Sequence, residues 1–362
     1  MAKRRIAAFT GNRAEYGLQY PMLQAIRARE DVELFLLVGG AHLDEHFGAT
    51  CEEIRKDGFT VNAEIELLPD RDDLLGTAGA IGKGVLNVAE ALARLQPDLL
   101  VVYADRFEGF AAMIAGTQMR IPTAHVEGGD LTEGGALDDS VRHAMSKLAH
   151  LHFTTNQQAT NRLLWMGEEP WRIHTVGLPI LDVVAEGNFA QPDDLATRYS
   201  IRLDRPLILF TQHSVTTEFD QAAAQLAPSL RALERLAQED HVQSIVTYSN
   251  NDAGGQRIVA ELRAFAARAP KTVQLRASAG RYDYHGFLNL CGRVLPGACV
   301  GNSSSGIKET PAFGCPAVNI GSRQDGRLRG DNVIDTGYDT EHILDACRRA
   351  LSDDAFRERC RT

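Results

Sequence analysis

Asp98-Leu99-Leu100-Val101-Val102-Tyr103-Ala104 is an almost unbroken apolar run that stops on Asp105-Arg106-Phe107-Glu108. A short continuous apolar run with polar residues at its end reads as a strand buried on both faces, the mark of a parallel sheet. Working outward, the same unit recurs. Strands are expected at 4–10, 33–39, 121–126, 151–155 and 172–177, with helices at 15–29, 73–95 and 138–149 and another starting near Phe107. The second half repeats the logic, with strands at 206–212, 243–248, 272–277, 297–301 and 316–320 and helices at 218–238, 254–268, 303–314 and 339–352. Such alternation predicts an α/β protein whose sheets are covered by helices on both faces. The stretch 185–205, rich in polar residues, Pro and Gly, breaks the rhythm. It sets the expected boundary between domains 1–185 and 186–362, two Rossmann-like doubly wound domains facing a central cleft. Open parallel sheets bind ligands at their strand C-termini, so the site is expected in that cleft.

A chain of 362 residues is long for one core and suits two domains of this kind. With 44% hydrophobic and 24% charged residues, the balance is that of a globular protein. The net charge of −10 repels a phosphate backbone, which sets nucleic acid aside as a partner. A phosphate-bearing ligand therefore needs a local basic or backbone-amide site. No run has the length and hydropathy of a membrane helix, and Met1-Ala2-Lys3-Arg4-Arg5 passes into a strand without a signal-peptide core. No membrane partner and a cytoplasmic location are expected. Cys51, Cys291, Cys299, Cys315, Cys347 and Cys360 show no CxxC pair and no zinc spacing, so buried free thiols and no metal are expected.

Polar clusters follow the strands. In Thr10-Gly11-Asn12-Arg13, a glycine turn opening a helix offers N–H groups to an anion and Arg13 adds a forked donor. A helix cap at Asn12 with a solvated Arg13 accounts for the same residues. Asp105 reads equally as a catalytic carboxylate or as an N-cap. The run from His125 to His143 is the richest. Glu127 stands before Gly128-Gly129, and glycines build little core but let backbone approach a ligand. Asp138 or Asp139 caps the following helix, so one of these two acids has a structural explanation. Arg142 and His143 lie in its first turn, where cations are disfavoured unless an anion is present. His213, after the strand 206–212, is a lone strand-end histidine, a type more often structural than catalytic. Asn250 sits in a polar turn that capping alone explains. In Gly301-Asn302-Ser303-Ser304-Ser305-Gly306-Ile307-Lys308-Glu309, three serines exceed what a cap needs and suit a diphosphate cradle. Glu309 is then placed to accept both hydroxyls of a ribose; a surface position is its plain alternative. Arg323 follows the next strand. Neither GxGxxG nor GxxxxGK[ST] accompanies these strands, and no cofactor is expected.

In order along the chain, these motifs resemble those of the hydrolysing UDP-N-acetylglucosamine 2-epimerases of sialic-acid and legionaminic-acid type sugar biosynthesis. The resemblance runs from Thr10-Gly11-Asn12-Arg13 to Gly330-Asp331-Asn332-Val333 and rests on Asp105-Arg106-Phe107-Glu108, His125-Val126-Glu127-Gly128-Gly129, Asp138-Asp139-Ser140-Val141-Arg142-His143, the Gly301–Glu309 run and Arg323-Gln324. It implies a GT-B-like fold, a UDP-sugar substrate, no cofactor and a homodimer or higher homo-oligomer. It also implies Asp105, Glu127 and Asp138 as sugar-side carboxylates and His213 as a catalytic group near the diphosphate. Arg13, Ser303, Ser304, Glu309 and Arg323 become UDP ligands, with Asn250, Arg106, Arg142, His143 and Ser305 joining the substrate-binding set. Ala104 stands where that family often has glycine.

The chemistry implied explains the residue types. The C2 proton of an N-acetylhexosamine has no carbonyl beside it, so a carboxylate takes it only as UDP leaves C1 and oxocarbenium character builds. A 2-acetamidoglucal results; water adds at C1 and a proton returns to the opposite face of C2. This needs stabilisation of the leaving diphosphate and two acid–base groups. The nearest rival, a non-hydrolysing 2-epimerase, typically reads Glu-Ala-Gly-Leu-Arg where this chain has Glu127-Gly128-Gly129-Asp130. A GT-B glycosyltransferase is the other alternative.

Overall fold

In the computed structural model, which describes residues 3–44, 50–132, 137–269 and 271–362, each apolar run singled out above is a strand. The chain divides into two units, Met1–Asp182 and Val183–Thr362.

Among the described residues, the first unit has strands β1 (Arg4–Thr10), β2 (Val32–Gly39), β3 (Val61–Ile65), β4 (Leu99–Tyr103), β5 (Thr123–Val126), β6 (Leu151–Thr154) and β7 (Ile173–Thr175). They form one parallel sheet in the order β3-β2-β1-β4-β5-β6-β7. Its helices are α1 (Arg13–Arg27), α2 (Cys51–Lys56), α3 (Leu74–Leu95), α4 (Phe107–Gln118), α5 (Leu137–Leu148) and α6 (Gln157–Trp165). Helix α7 (Ile180–Glu186) spans the division.

The second unit carries β8 (Leu207–Thr211), β9 (Gln243–Thr247), β10 (Val273–Arg276), β11 (Gly297–Gly301), β12 (Ala317–Ile320) and β13 (Val333–Thr336), all parallel, ordered β10-β9-β8-β11-β12-β13. Its helices are α8 (Pro192–Tyr199), α9 (Ala222–Glu239), α10 (Gly255–Arg268), α11 (Gly280–Asn289), α12 (Ser305–Lys308), α13 (Thr340–Ser352) and α14 (Asp354–Arg361).

The β8 side chains show why these strands lack polar alternation. Ile208 and Phe210 pack in one core with Leu226, Leu262 and Leu344, while Leu207 and Leu209 enter another with Leu195 and Phe287. Successive residues point to opposite faces, and helices bury both. The first sheet does the same: Phe9, Leu37, Leu100 and Val102 share a core with Met113 and Met145.

Both sheets reverse winding direction in the middle, between β1 and β4 and between β8 and β11. Such switch points leave crevices at the strand C-termini. Thr10-Gly11-Asn12 and Ala104-Asp105 follow β1 and β4; Gln212-His213 and Asn302-Ser303 follow β8 and β11.

Three features differ from the sequence reading. Strands β3 and β13 had not been expected: they are short, half-exposed edge strands without a solid apolar run. The helix expected over 303–314 is a single α turn, α12, followed by a 3-10 turn at Thr310–Phe313. Pro311, which has no amide hydrogen to donate, stands where the α pattern stops. The Glu133–Ala136 portion of the glycine-rich run lies outside the described residues. All six cysteines are free and buried, and no described helix is long and apolar enough to cross a membrane.

Candidate active site

After β1 the chain turns on Gly11, and Asn12 caps α1 by accepting from Ala14 N at 3.0 Å and Glu15 N at 3.1 Å. The cap explanation for Asn12 therefore holds, and Arg13 is left half-buried at the first helical position. Beneath the turn lie two acids. Glu15 accepts from Gly11 N at 2.8 Å, and fully buried Glu108 packs so closely that a Cβ on Gly11 would sit 2.7 Å from its own. Burial, then the nearby Glu108 charge, pushes the Glu15 carboxyl up to about 8, so it keeps its proton at neutral pH. Arg106 grips Glu108 with Nε and a terminal nitrogen, both at 3.2 Å. Arg106, expected among the substrate-binding residues, thus has its fork on the Glu108 carboxylate.

The ends of β4 and β5 carry Asp105 and Glu127 on a strained frame. Ala104 (φ 58°) and Glu127 (φ 67°) both occupy the left-handed region. Such backbone costs an L-residue roughly 1–2 kcal/mol and persists only where the surroundings enforce it. Here the sheet ladder continues through both, with Ala104 N donating to Val126 O at 2.9 Å and Glu127 N to Phe153 O at 2.8 Å. Buried His125 donates from Nε2 to Ala104 O at 2.6 Å, and its Nδ1 meets Ser146 Oγ of α5 at 3.0 Å. Burial pulls His125 down to about 4, so the ring is neutral. Gly128 is needed beside it, since a Cβ there would lie 2.8 Å from both His125 Nδ1 and Ser146 Oγ.

Asp105 emerges from this frame and pairs with Arg142. Arg142 is fully buried. It also donates to Asp139 Oδ1 at 2.6 Å, Thr132 Oγ1 at 2.7 Å and Asp130 O at 2.8 Å. The resemblance implied Arg142 as a substrate ligand; the groups its terminal nitrogens meet here are the protein's own. The anions that favour a cation in this first turn are Asp105 and Asp139, supplied by the protein. Asp139 also accepts from Thr132 N at 2.7 Å, so it is the acid with the structural explanation; its neighbour Asp138 is half-buried. Half-buried His143 is pushed below the ordinary histidine range by burial and then by Arg142, and its Nδ1 is enclosed without a hydrogen-bond partner.

In the second unit, His213 is fixed from two sides. Its backbone N donates to Asn302 Oδ1 at 2.6 Å while Asn302 Nδ2 donates to its carbonyl at 2.9 Å. The ring Nδ1 accepts from Asn250 N at 3.0 Å and lies 3.3 Å from Ser249 Oγ. An Nδ1 that accepts a backbone N–H carries no proton, so the ring is the Nε2–H tautomer. His213 thus offers a neutral donor, where the chemistry had also allowed a protonated ring. Asn250, expected as a ligand, also meets protein groups: its backbone N donates to His213, and its Nδ2 donates to Asp252 at 2.7 Å.

Gly301 (φ 127°) ends β11 so close to β8 that a Cβ would meet Thr211 O at 1.9 Å. Ser303 and Ser304 follow half-buried, and Ser303 lines a small cavity of about 10 Å³ together with Gly301, Gly306 and Asn319 among others. Ser305 is buried with its hydroxyl beside that of Tyr284. Arg323 donates to Asn302 O at 3.2 Å and lies 3.9 Å from Asp252. Half-buried Lys308 is pushed well below the usual lysine range, first by burial and then by Arg327; Glu309 opposes this and Arg323 adds to it. Lys308 and the arginines beside it form a cluster of donors that suits a diphosphate. With α12 only one turn long, these side chains rather than a helix dipole supply the positive field. Sequence reasoning passed over Lys308, Glu15 and Glu108, since a charged residue inside a motif shows no sign of its burial. Glu309 is buried and accepts from His285 Nε2 at 2.8 Å.

A family model described as UDP-N-acetylglucosamine 2-epimerase matches residues 24–362. The chain is 33% identical over 336 residues to the GDP/UDP-N,N′-diacetylbacillosamine 2-epimerase (hydrolyzing) of Campylobacter jejuni, covering 93% of this chain and 85% of that one. It is 34% identical over 349 residues to the UDP-N,N′-diacetylbacillosamine 2-epimerase (hydrolyzing) of Legionella pneumophila, covering 96% and 89%. The crystal structure of UDP-GlcNAc 2-epimerase from Neisseria meningitidis bound to UDP-GlcNAc shares the fold, with a TM-score of 0.79 at 14% identity over 99% of this chain and 94% of that one. The protein belongs to the UDP-N-acetylglucosamine 2-epimerase family.

Proposed function

We propose that this protein is a hydrolysing 2-epimerase that converts a UDP-linked N-acetylated amino sugar and water into UDP and the free 2-epimer. The observation that carries this is the 33–34% identity, across more than nine-tenths of the chain, to two relatives both named as hydrolysing. Their names also favour UDP-2,4-diacetamido-2,4,6-trideoxyglucose over UDP-N-acetylglucosamine as substrate, which points to legionaminic-acid type synthesis in the cytoplasm.

In this reading the first unit supplies the proton-handling carboxylates and Arg13, and the second supplies most of the groups that hold the leaving group. Arg13, Arg323, Lys308 and the Ser303 and Ser304 hydroxyls neutralise the diphosphate, and neutral His213 donates from Nε2 as the C1–O bond breaks. One of Glu127, Asp138 and Asp105 takes the C2 proton to give the 2-acetamidoglucal. Water then adds at C1, and a second carboxyl delivers a proton to the opposite face of C2. Glu309 accepts the ribose hydroxyls.

Reaction of a small nucleotide-sugar panel in deuterium oxide, followed by NMR, tests this. The expected product is free sugar of inverted C2 configuration carrying deuterium there, with UDP. Accumulation of the UDP-linked 2-epimer without free sugar would instead mean a non-hydrolysing epimerase. Release of unepimerised, undeuterated sugar would mean plain glycosyl hydrolysis.

A further inference from the structure

Helix α11 lies outside every motif discussed so far, yet it places His285 against the acid of the Ser-rich turn. The imidazole is 2% exposed and Glu309 is 8% exposed. His285 Nε2 donates to Glu309 Oε2 at 2.8 Å. The ring is stacked on Phe313, with centroids 5.7 Å apart and planes 25° from parallel, and Tyr284 meets it edge-on at 6.3 Å. Phe313 is buried in the 3-10 turn that follows Glu309. The other ring nitrogen, Nδ1, is enclosed without a hydrogen-bond partner.

A buried histidine that leaves one nitrogen unsatisfied bears a desolvation cost for the single bond it makes. That bond goes to a carboxylate oxygen, and the aromatic neighbours deny the ring any other rotamer. We propose that His285 is a positioning residue for ribose recognition: it fixes the plane of the Glu309 carboxylate so that both hydroxyls of a ribose are read together. The inference rests on Glu309 being the ribose acceptor. A carboxylate oxygen has more than one acceptor site, so Oε2 can receive His285 and a hydroxyl at once, while Oε1 receives the other. An unheld carboxylate would rotate about its last torsion and lose one of the two contacts. The chemical class selected is therefore a ribonucleoside diphosphate over its 2′-deoxy counterpart.

Calorimetry with UDP and 2′-deoxy-UDP on the full-length protein tests this. Wild type is expected to prefer UDP by roughly tenfold, the worth of one hydrogen bond to a charged group. His285→Phe keeps the stack on Phe313 but loses the donor. It should weaken UDP about tenfold and shrink the preference to about twofold, raising KM with kcat within about twofold. His285→Gln, whose amide N–H can stand near the position of Nε2–H, should restore most of the preference and covers the case in which the Phe variant does not fold. Equal weakening of UDP and 2′-deoxy-UDP in His285→Phe, or no weakening, overturns the proposal. So does a Gln variant that folds yet discriminates no better than the Phe variant. Glu309→Ala separates this from the underlying reading. If it abolishes the preference while the His285 variants keep it, His285 alone is misassigned. If it leaves the preference intact, Glu309 is not the ribose acceptor and both readings fall.

Discussion

Arg142→Met tests whether this arginine holds the carboxylates in place or meets the substrate. The wild-type guanidinium is fully buried, and its terminal nitrogens reach two carboxylates, a hydroxyl and a carbonyl. Methionine fills similar space and offers none of these donors. Asp105 and Asp139 have side chains only 14% and 8% exposed, so both would be left as poorly solvated charges. Removing one partner of a buried ion pair costs about 3–5 kcal/mol, because the other charge is stranded. Against a typical domain stability of about 5–15 kcal/mol, that is a large fraction. Native-state hydrogen exchange in low urea reads it locally: amides of β4, β5 and α5 should lose protection by that amount while β8 and β11 keep theirs. Arg142→Met with Asp139→Asn removes one stranded charge and should recover about 1–2 kcal/mol, a non-additivity expected of groups in one network. Unchanged protection in Arg142→Met, with a loss confined to substrate affinity, would refute the argument and return Arg142 to the substrate.

Glu127→Gln and Asp138→Asn should each lower turnover at least about a hundredfold, the usual scale for an acid–base group, with UDP affinity by calorimetry hardly changed; near-normal turnover in both would contradict the assigned chemistry. His213→Gln keeps an N–H donor and should retain about tenfold more turnover than His213→Ala, whereas equal losses would speak against a neutral donor and for proton transfer. Glu15 has a folded-state value of about 8, above its ordinary 4.5, so the stability it contributes is full at low pH and is lost as pH rises through 8. Glu15→Gln mimics the protonated acid and should flatten the fall in thermal stability between about pH 4.5 and 8, a change on the order of a few kcal/mol in ΔG; parallel pH profiles for variant and wild type would place the proton elsewhere.

The parallel sheets were legible because their central strands are buried on both faces and cannot carry alternating polar residues; Leu207–Thr211 is the plainest case. Edge strands obey a weaker rule. In Val61–Ile65 the exposed Glu64 and half-exposed Asn62 break the apolar run, and β3 was missed. The site was legible as a set of motifs but not as a division of labour. Asp138 and Asp139 are equivalent on paper, and only the approach of Thr132 N and Arg142 to Asp139 tells them apart. Arg106, Asn250 and Ser305 have the chemistry of ligands, and no motif announces the contacts they make with Glu108, Asp252 and Tyr284. His285 had no signal at all, since its partner lies 24 residues away on another element.

One local exchange ties sequence to mechanism. At 104 the resemblance would allow glycine, which enters the left-handed region without strain; this chain places alanine there at φ 58°. Glycine would also let the backbone before Asp105 sample many states, and an acid–base group must sit within a fraction of an ångström of its proton. Alanine narrows that freedom, and the remaining strain is held by groups already in the fold. Val126 O takes the Ala104 N–H, and neutral His125 takes its carbonyl. Glu127 repeats the device on the neighbouring strand, its N–H on Phe153 O and its φ at 67°. Ser146, which meets the ring of His125, comes from α5, the helix that also carries Asp138 and Arg142. The three carboxylates are therefore set by one continuous frame of backbone and imidazole.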